Sequence, residues 1–160
     1  MSAPAALEWS TDNCPIQGAL EVMGDRWSLL VLRELFAGIR RFDQLTVRTA
    51  IPRQVLTDRL DRLVAEGLLR REPYRDPGKR TRHEYRLTQK GLDLYPVLLS
   101  LAAWGERYLA GPEGSPIHFV HRDCGERLDL VLRCRAGHEL DDTRQVGGAL
   151  GPGAHRRTPA

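Results

Sequence analysis

The sequence has few cysteines, few lysines and no long apolar run. Its three cysteines are too few, and odd in number, for a disulfide scaffold, so we expect a cytoplasmic protein with reduced thiols. No stretch approaches the roughly 18 apolar residues of a transmembrane helix, and we expect no membrane partner. Residues 1–13 contain Glu8 and Asp12 and lack a basic start before an apolar stretch, which is unlike a signal peptide.

The chain also has little net charge. Its 24 Lys and Arg against 21 Asp and Glu give +3 over 160 residues, which by itself does not indicate a polyanionic partner. The cations are nevertheless concentrated. Residues 70–90 hold eight cations and three acids, a local excess of +5, so the remaining residues sum to −2. This segment is therefore the candidate surface for binding a polyanion.

Apolar spacing and turn residues predict helices in the first half of the chain. Pro15 and Gly24 suit the start and the end of a first helix. The nearly continuous apolar segment 27–36 is typical of a helix that is buried on most sides. Phe42, Leu45 and Val47 then mark a short amphipathic helix. A longer helix is predicted from about 52 to 66, because its apolar residues recur on one face, at Leu56, Leu60, Leu63 and Val64.

A β-hairpin is predicted next, because residues 68–74 and 83–87 look extended and the turn sequence Asp76-Pro77-Gly78 lies between them. A last long helix opens at Thr88 and ends near Gly111. Two further strands are predicted at 118–121 and 128–132, and the residues from 145 onward are rich in Gly and Pro without an apolar period.

This order of elements predicts a winged helix-turn-helix. The fold class is mainly α with a small β-hairpin wing (α+β), plus a small β-rich C-terminal extension. We expect a flexible N-terminus at 1–13, a DNA-binding and dimerisation domain at 14–111, the extension at 116–142 and a disordered tail at 143–160.

The second helix of such a motif places its N-terminal residues against base edges, while the wing lays cations along the phosphates. Gln54 can pair with adenine, Thr57 can contact a thymine methyl group or a phosphate, and Arg53 suits a phosphate or guanine. Asp58 and Asp61 either face cytosine amino groups or pair with Arg62 and lie off the groove, and the second is expected for Asp61. The predicted DNA-binding residues are Arg53, Gln54, Thr57, Asp58, Arg62, Arg75, Lys79, Arg80 and Arg82.

The sequence resembles the HxlR family of bacterial transcription regulators, a branch near the MarR-type winged-helix proteins. The matching stretches lie within about residues 14–110: Cys14-Pro15, Gly24 to Leu35, Arg41 to Leu45, Ile51 to Leu60, Glu66 to Arg71, Glu84 to Thr88 and Trp104-Gly105. The resemblance implies a homodimer built by the N- and C-terminal helices, double-stranded DNA as partner, and a palindromic operator. It favours a repressor, with a small-molecule or redox effector as an option, and it implies no enzymatic activity.

Three positions refine the resemblance. Pro52 stands where the family usually has a hydroxyl residue at the start of the recognition helix, and proline cannot cap a helix through a side chain. His83 replaces a wing residue that is commonly apolar. Arg82 matches the wing position that usually carries arginine, so it is the strongest single DNA contact that the resemblance implies.

Cys14 precedes Pro15 at a predicted helix N-terminus, where the helix dipole stabilises a thiolate. Some HxlR-type regulators use such a cysteine to sense oxidants or electrophiles. Two interpretations remain open for Cys14, namely a redox sensor and a small residue at a dimer interface.

The extension contains two His/Cys pairs, with H-x2-C followed by nine residues and C-x3-H. The four residues are His121, Cys124, Cys134 and His138, a donor set that suits structural zinc. An inter-strand thiol pair and a plain β-appendage fit equally. A zinc-dependent enzyme is the alternative function, although only Glu126 and Glu139 adjoin the cluster and neither stands out as a general acid or base. A winged-helix interaction module without DNA contacts is a third hypothesis.

Overall fold

The computed structural model describes residues 8–157, which divide into two compact units. One unit spans Ala19–Ile117, and the other combines the described residues up to Gly18 with those from His118 onward. Residues 1–7 of the predicted flexible N-terminus and residues 158–160 of the predicted disordered tail lie outside the described residues. The elements are α1 (Pro15–Met23), α2 (Arg26–Phe36), α3 (Phe42–Thr49), α4 (Arg53–Ala65), β1 (Leu69–Tyr74), β2 (Arg82–Leu87), α5 (Gln89–Leu92), α6 (Tyr95–Leu109), β3 (Leu132–Arg133) and β4 (Glu139–Leu140).

Asp25 determines where α2 begins. One of its carboxylate oxygens accepts hydrogen bonds from the backbone N–H groups of Trp27 and Ser28, at 3.1 and 3.0 Å, and so satisfies donors that a helix start leaves free. Burial would raise the pKa of Asp25, but the Ser28 hydrogen bonds and the nearby Arg59 guanidinium together hold that pKa below its usual value. Arg59 lies on α4, so the cap also joins the start of α2 to α4.

The core of the larger unit lies between α2, α3, α4 and the hairpin. The predicted apolar face of α4 is confirmed, since Leu56, Leu60 and Leu63 are completely buried. Each buried leucine contributes about 2 kcal/mol relative to an exposed one. They pack with buried residues of the other elements, which are Val31, Leu32, Leu35, Leu45, Ile51, Leu68, Leu69 and Tyr85. The assignment of Val47 to the apolar face of α3 was wrong, because its side chain is 84% exposed.

A carboxylate lies inside this core. Glu34 is 1% exposed, and its two oxygens accept hydrogen bonds from Arg33, at 2.6 Å, and from Arg48 of α3, at 2.9 Å. Burial would raise the pKa of Glu34, but the hydrogen bonds from Arg48 and Arg33 outweigh that effect and hold the pKa below its usual value. The ion pair with Arg48 therefore joins α3 to α2.

The predicted hairpin is confirmed, with β2 beginning one residue earlier than expected. The strands are antiparallel, and their register pairs Leu69 with Leu87 and Tyr74 with Arg82. A third segment joins the edge of this sheet, because Arg41 forms a bridge with Glu84. The hairpin is thereby attached directly to the residues that precede α3.

The single helix predicted from Thr88 to Gly111 is in fact two helices, α5 and α6. The break precedes Pro96, which has no N–H to donate and whose ring would collide with the carbonyl group four residues earlier in a continuous helix. Thr88 caps the short α5 by accepting a hydrogen bond from the backbone of Gly91. A Cβ at Gly91 would lie 2.3 Å from the carbonyl oxygen of Leu68, so only glycine fits there.

The C-terminal residues contain less regular structure than expected. The strands predicted at 118–121 and 128–132 are reduced to one bridge between Val120 and Arg127, and the short strands β3 and β4 pair further along the chain. Backbone hydrogen bonds also join residues 8–10 to 155–157, so these parts of the predicted loose termini are paired. Within residues 8–157, no helix is long and apolar enough to cross a membrane.

We expect Glu34→Gln to destabilise the larger unit by about 2 kcal/mol at pH 7, because a neutral amide cannot replace a carboxylate that is paired with two guanidinium groups. A group with a lowered folded pKa stabilises the protein above its unfolded pKa and loses that contribution as the pH falls. The stability difference between the two proteins should therefore close as the pH falls from about 5 towards 3. Urea unfolding at several pH values, followed by helical circular dichroism, measures it. A difference in unfolding free energy between the two proteins that stays constant down to pH 3 would contradict a stabilising role for the ionised Glu34 carboxylate.

Candidate nucleic-acid interface

The turn between α3 and α4 exposes the start of α4. Ala50 has a left-handed backbone with φ +52°, which reverses the chain, and the side chain of Ile51 anchors the turn in the core with 2% exposure. Pro52 precedes α4 as expected, and it provides no side-chain hydrogen bond to the helix. The first-turn N–H groups of α4 are therefore not capped by Pro52 and suit an anion such as a phosphate.

Three predicted base-contacting residues share the exposed side of this helix start. Arg53 is exposed and lies over the ring of Phe42, with 4.8 Å between the guanidinium carbon and the ring centroid. The amide nitrogen of Gln54 donates a 2.9 Å hydrogen bond to Asp58. Asp58 thus pairs along its own helix, and Gln54 keeps its amide oxygen and one N–H for a base edge.

The remaining predicted residues of α4 are engaged elsewhere. The Thr57 hydroxyl donates to the carbonyl oxygen of Arg53. Arg62 lies in the last turn, and its guanidinium donates to the carbonyl oxygen of Glu21 in α1. Asp61 pairs with Arg71 of β1, which corrects the predicted pairing with Arg62. Arg62 is nine residues from Arg53, about 13 Å along the helix axis, so the two do not form one contact group.

Asp43, in the first turn of α3, joins the predicted recognition helix to the wing. Its carboxylate lies 3.6 Å from Arg53 and 3.3 Å from Arg82, and its side chain is 63% exposed. Two of the predicted DNA-binding arginines therefore converge on one anion at the surface. Asp43 is not among the predicted DNA-binding residues, because no helical or strand period relates residues 43, 53 and 82.

The positive charge of the wing is uneven. At its base, Glu72 pairs with Arg70 and Arg86, and Glu84 also pairs with Arg86. The Arg70 hydrogen bond and the neighbouring cations lower the pKa of Glu72, so it stays ionised.

The tip of the wing is different. It turns at Gly78, whose φ is +72°, and Arg75 donates a 2.9 Å hydrogen bond to the carbonyl oxygen of Lys79. The carboxylate of Asp76 forms an ion pair with the guanidinium of Arg41, at 3.3 Å. In the part of the chain that the structure describes, no carboxylate pairs with Arg75, Lys79 or Arg80. These three residues, which we call the wing-tip cations, carry the charge that remains for a polyanion.

The predicted redox cysteine is half-buried and directly precedes α1. Its N–H donates to the carbonyl oxygen of Thr11, and its carbonyl oxygen accepts from Gly18. Both contacts involve the backbone, so the redox role of Cys14 stays a prediction.

The four predicted zinc ligands form two separate pairs. His121 Nδ1 lies 3.3 Å from Cys124 Sγ, and Cys134 Sγ lies 3.6 Å from His138 Nδ1. Between residues 8 and 157, no group of three or more His, Cys, Asp or Glu side chains is placed to hold a metal ion. The structure therefore places the four predicted ligands in two pairs and does not group all four around one point.

Comparisons with known proteins agree with this geometry. The family model of the HxlR-like helix-turn-helix matches residues 22–112. An uncharacterized HTH-type transcriptional regulator of Mycobacterium tuberculosis is 48% identical over 136 residues, covering 84% of each chain. A similar regulator of a Synechocystis strain is 40% identical over 99 residues, covering 60% of this chain and 70% of its own.

Solved structures are similar as well. The crystal structure of PA1607, described as a candidate transcription factor, aligns with a TM-score of 0.76 at 33% identity and covers 86% of this chain and 95% of its own. The redox regulator HypR in its reduced form aligns with a TM-score of 0.52 at 31% identity, covering 58% of this chain and 91% of its own. The predicted fold is confirmed, and the chain belongs to the HxlR-like helix-turn-helix family of DNA-binding transcriptional regulators, not to a family of enzymes.

Proposed function

We propose that the protein is a homodimeric repressor that binds a palindromic operator through α4 and the wing. The observation that carries the proposal is the convergence of Arg53 and Arg82 on Asp43, beside the uncapped start of α4. A helix start that carries Arg53 and Gln54 suits base edges and phosphates in a major groove. The wing-tip cations suit the phosphates that flank it.

Helix α6 supports the dimer. It has no buried residue, and its exposed apolar side chains recur every three or four positions at Val97, Leu101, Trp104 and Tyr108. This spacing places the four side chains on one face of the helix. Each of them is between 45% and 61% exposed. An apolar helix face of this kind is typical of a helix–helix interface. We assign it to α6 of a second copy, because a helix with a regular apolar stripe is complementary to itself across a two-fold axis.

A two-fold dimer determines the form of the operator. Its two α4 helices present the same residues in opposite orientations, so the half-sites are inverted repeats about one helical turn apart. Repression needs only occupancy of such a site where it overlaps a promoter. Deleting the gene should therefore raise transcription from the operator-containing promoter, and a fall in transcription would instead indicate activation.

Removing a wing-tip cation should weaken DNA binding equally on all sequences. Lys79→Ala and Arg80→Ala should each lower the slope of log affinity against log salt by about 2, one unit for each copy in the dimer. Fluorescence anisotropy with a duplex from the protein's own promoter, at several salt concentrations, measures the slope.

Lys90→Ala is the matched control for charge. Lys90 donates to the carbonyl oxygen of Glu66 and lies outside the hairpin, so its loss should leave the slope unchanged. Binding that does not respond to salt, or no binding at all, would overturn the DNA proposal and favour an interaction module.

We expect Asp43 to contribute to sequence discrimination. Asp43→Asn removes a negative charge that would face DNA, which should strengthen binding to random duplex. It also releases Arg53 and Arg82 from their shared anchor, so binding to the operator should gain less or weaken. We expect the ratio of operator to random-duplex affinity to fall about tenfold.

The matched control is Asp93→Asn, because the exposed Asp93 carboxylate contacts Gln89 in α5 and not the wing. That variant should preserve the affinity ratio. An unchanged ratio in Asp43→Asn would show that Asp43 does not position the two arginines.

The dimer proposal has its own test. Leu101→Glu places a charge on the exposed face of α6, where a monomer tolerates it and a helix–helix interface does not. We expect a weakening of dimerisation by at least about 100-fold, measured by sedimentation velocity, with the helical circular dichroism unchanged. Ser100→Glu, one position away on the same helix, is the control. Equal dimerisation of both variants would locate the interface elsewhere.

A further inference from the structure

We propose that His121, Cys124, Cys134 and His138 bind one Zn²⁺ ion that joins two turns of the C-terminal unit. Zinc in structural sites is held by four nitrogen or sulfur ligands, and these four residues supply two of each. The inference rests on the C-terminal residues alone and does not depend on DNA binding.

The first half of the site is the turn that holds His121 and Cys124. The N–H of Gly125 donates a 2.8 Å hydrogen bond to the carbonyl oxygen of His121, and Gly125 has φ +76°. The turn thereby folds the imidazole and the thiol towards each other, with 3.3 Å between Nδ1 and Sγ.

The second half is also a turn with a positive-φ glycine, and here the glycine lies between the two predicted ligands. Cys134 accepts a 2.9 Å hydrogen bond from the N–H of Gly137, which has φ +89°, and β3 and β4 lie on either side of this turn. Cys134 Sγ and His138 Nδ1 lie 3.6 Å apart. Each half thus contains a glycine with positive φ, directly after the first pair and inside the second.

The donor separations fit a tetrahedral ion. With Zn–S near 2.3 Å and Zn–N near 2.0–2.1 Å, two donors on one tetrahedral ion are roughly 3.5 Å apart. The two observed separations lie on either side of that value. Each pair is therefore compatible with one edge of a zinc site, and the same separations also suit a hydrogen bond between a thiol and an imidazole.

Asp123 adds an observation of a different kind. Its carboxylate lies 3.8 Å from Nε2 of His121, the ring nitrogen that does not face Cys124. Histidines that bind metals usually offer their other ring nitrogen to a carboxylate, which orients the ring and makes the ligand more basic. At 3.8 Å Asp123 is beyond hydrogen-bond distance and its side chain is 91% exposed, so it would take that role after moving closer to the ring.

The C-terminal residues also need a source of stability. Among the described residues from His118 onward, no side chain is buried, and Leu128, Leu130, Val131 and Leu132 are 43–58% exposed. A segment of about 40 residues without a core usually depends on a disulfide, a metal ion or a partner. The two thiols are free, so a metal ion meets this need without an oxidant.

Closing the site requires the two pairs to approach each other, because the structure does not group them. The residues between them, 125–133, contain no buried side chain. Their strand pairings lie within one half each, Arg127 with Val120 around the first pair and Leu132 with Leu140 around the second. On binding, both thiols release their protons to the buffer, and the histidines bind as neutral imidazoles. Four protein ligands leave no open position for water, so the site is structural.

The test is the zinc content of the full chain purified without chelator, measured by inductively coupled plasma mass spectrometry. We expect about one Zn²⁺ per chain in the unmodified protein, and about a tenth of that or less in Cys124→Ser and Cys134→Ser. Cys14→Ser is the matched control, because it loses the third thiol and should keep the metal. Asp123→Asn should weaken Zn²⁺ binding roughly tenfold in competition with a chelating dye.

A second measurement uses the unmodified protein, because a cysteine variant that fails to fold would also lose zinc. In the unmodified protein, removing Zn²⁺ with a chelator should increase amide hydrogen exchange in 118–146 while the core helices α2 and α4 keep their protection. Co²⁺ added to the stripped protein should produce the visible bands of a tetrahedral site with thiolate ligands. Zinc content unaffected by the Cys124 and Cys134 substitutions, no binding of added Zn²⁺, or a Cys124–Cys134 disulfide in metal-free protein would overturn the proposal.

Discussion

The complete burial of one face of α4 determines what the rest of the larger unit can do. Leu56, Leu60 and Leu63 have no exposed area, and together they represent about 6 kcal/mol of burial. Rotating the helix by one residue turns that face by about 100°, which would expose these leucines and bury charged neighbours. Arg53, Gln54 and Asp58 point outward because the opposite face is fully used. The surface that we propose to face DNA is therefore a consequence of the core.

Two carboxylates join the helices around α4: Asp25, which caps α2, and the buried Glu34. Asp25 starts α2 and reaches Arg59 of α4, while Glu34 reaches Arg48 of α3. Carboxylates in such places stabilise only when their hydrogen bonds are complete, since a buried charge without partners costs several kcal/mol. The lowered pKa of each shows that the partners outweigh the cost of burial. Polar contacts thus orient the motif, and apolar packing stabilises it.

The exposed ion pairs have a different role. Pairs such as Asp43 with Arg82 contribute at most about 1 kcal/mol in water, because solvent screens them. A DNA phosphate can replace the carboxylate at little cost, so these pairs arrange the arginines without withholding them from a ligand. The wing-tip cations have no such competitor among the described residues, so their charge remains available to a polyanion.

Most of the fold was predictable, because helices and strands repeat their buried side chains at fixed spacings and turns need particular residues. The spacing of the leucines in α4 and the turn Asp76-Pro77-Gly78 predicted the helix and the hairpin correctly. Pro96, which also stands in the sequence, was overlooked, and the long last helix was wrong for that reason. Val47 was misplaced because a helix of eight residues carries too little periodicity to define its buried side.

The partners of individual charges were not predictable. Asp61 pairs with Arg71 across a helix–strand contact, and Asp43 joins residues 10 and 39 positions away. Such pairs depend on the tertiary approach of elements, about which spacing along the chain says nothing. The sequence therefore indicated which segment was basic. The structure showed that, among the described hairpin residues 69–87, the cations without a carboxylate partner are those at the tip.

The exposed apolar residues of α6 and of the C-terminal extension require different explanations. Those of α6 follow a helical period, so they form one continuous stripe that another helix can cover. Leu130, Val131 and Leu132 are consecutive, and consecutive side chains in an extended segment point to alternate sides. Leu128, Leu130 and Leu132 would share one side of such a segment, which gives three side chains on a largely irregular stretch rather than four along one helix. A partner surface is therefore the natural complement of α6, whereas the extension, which carries two Cys/His turns, is better stabilised by a link between its own turns.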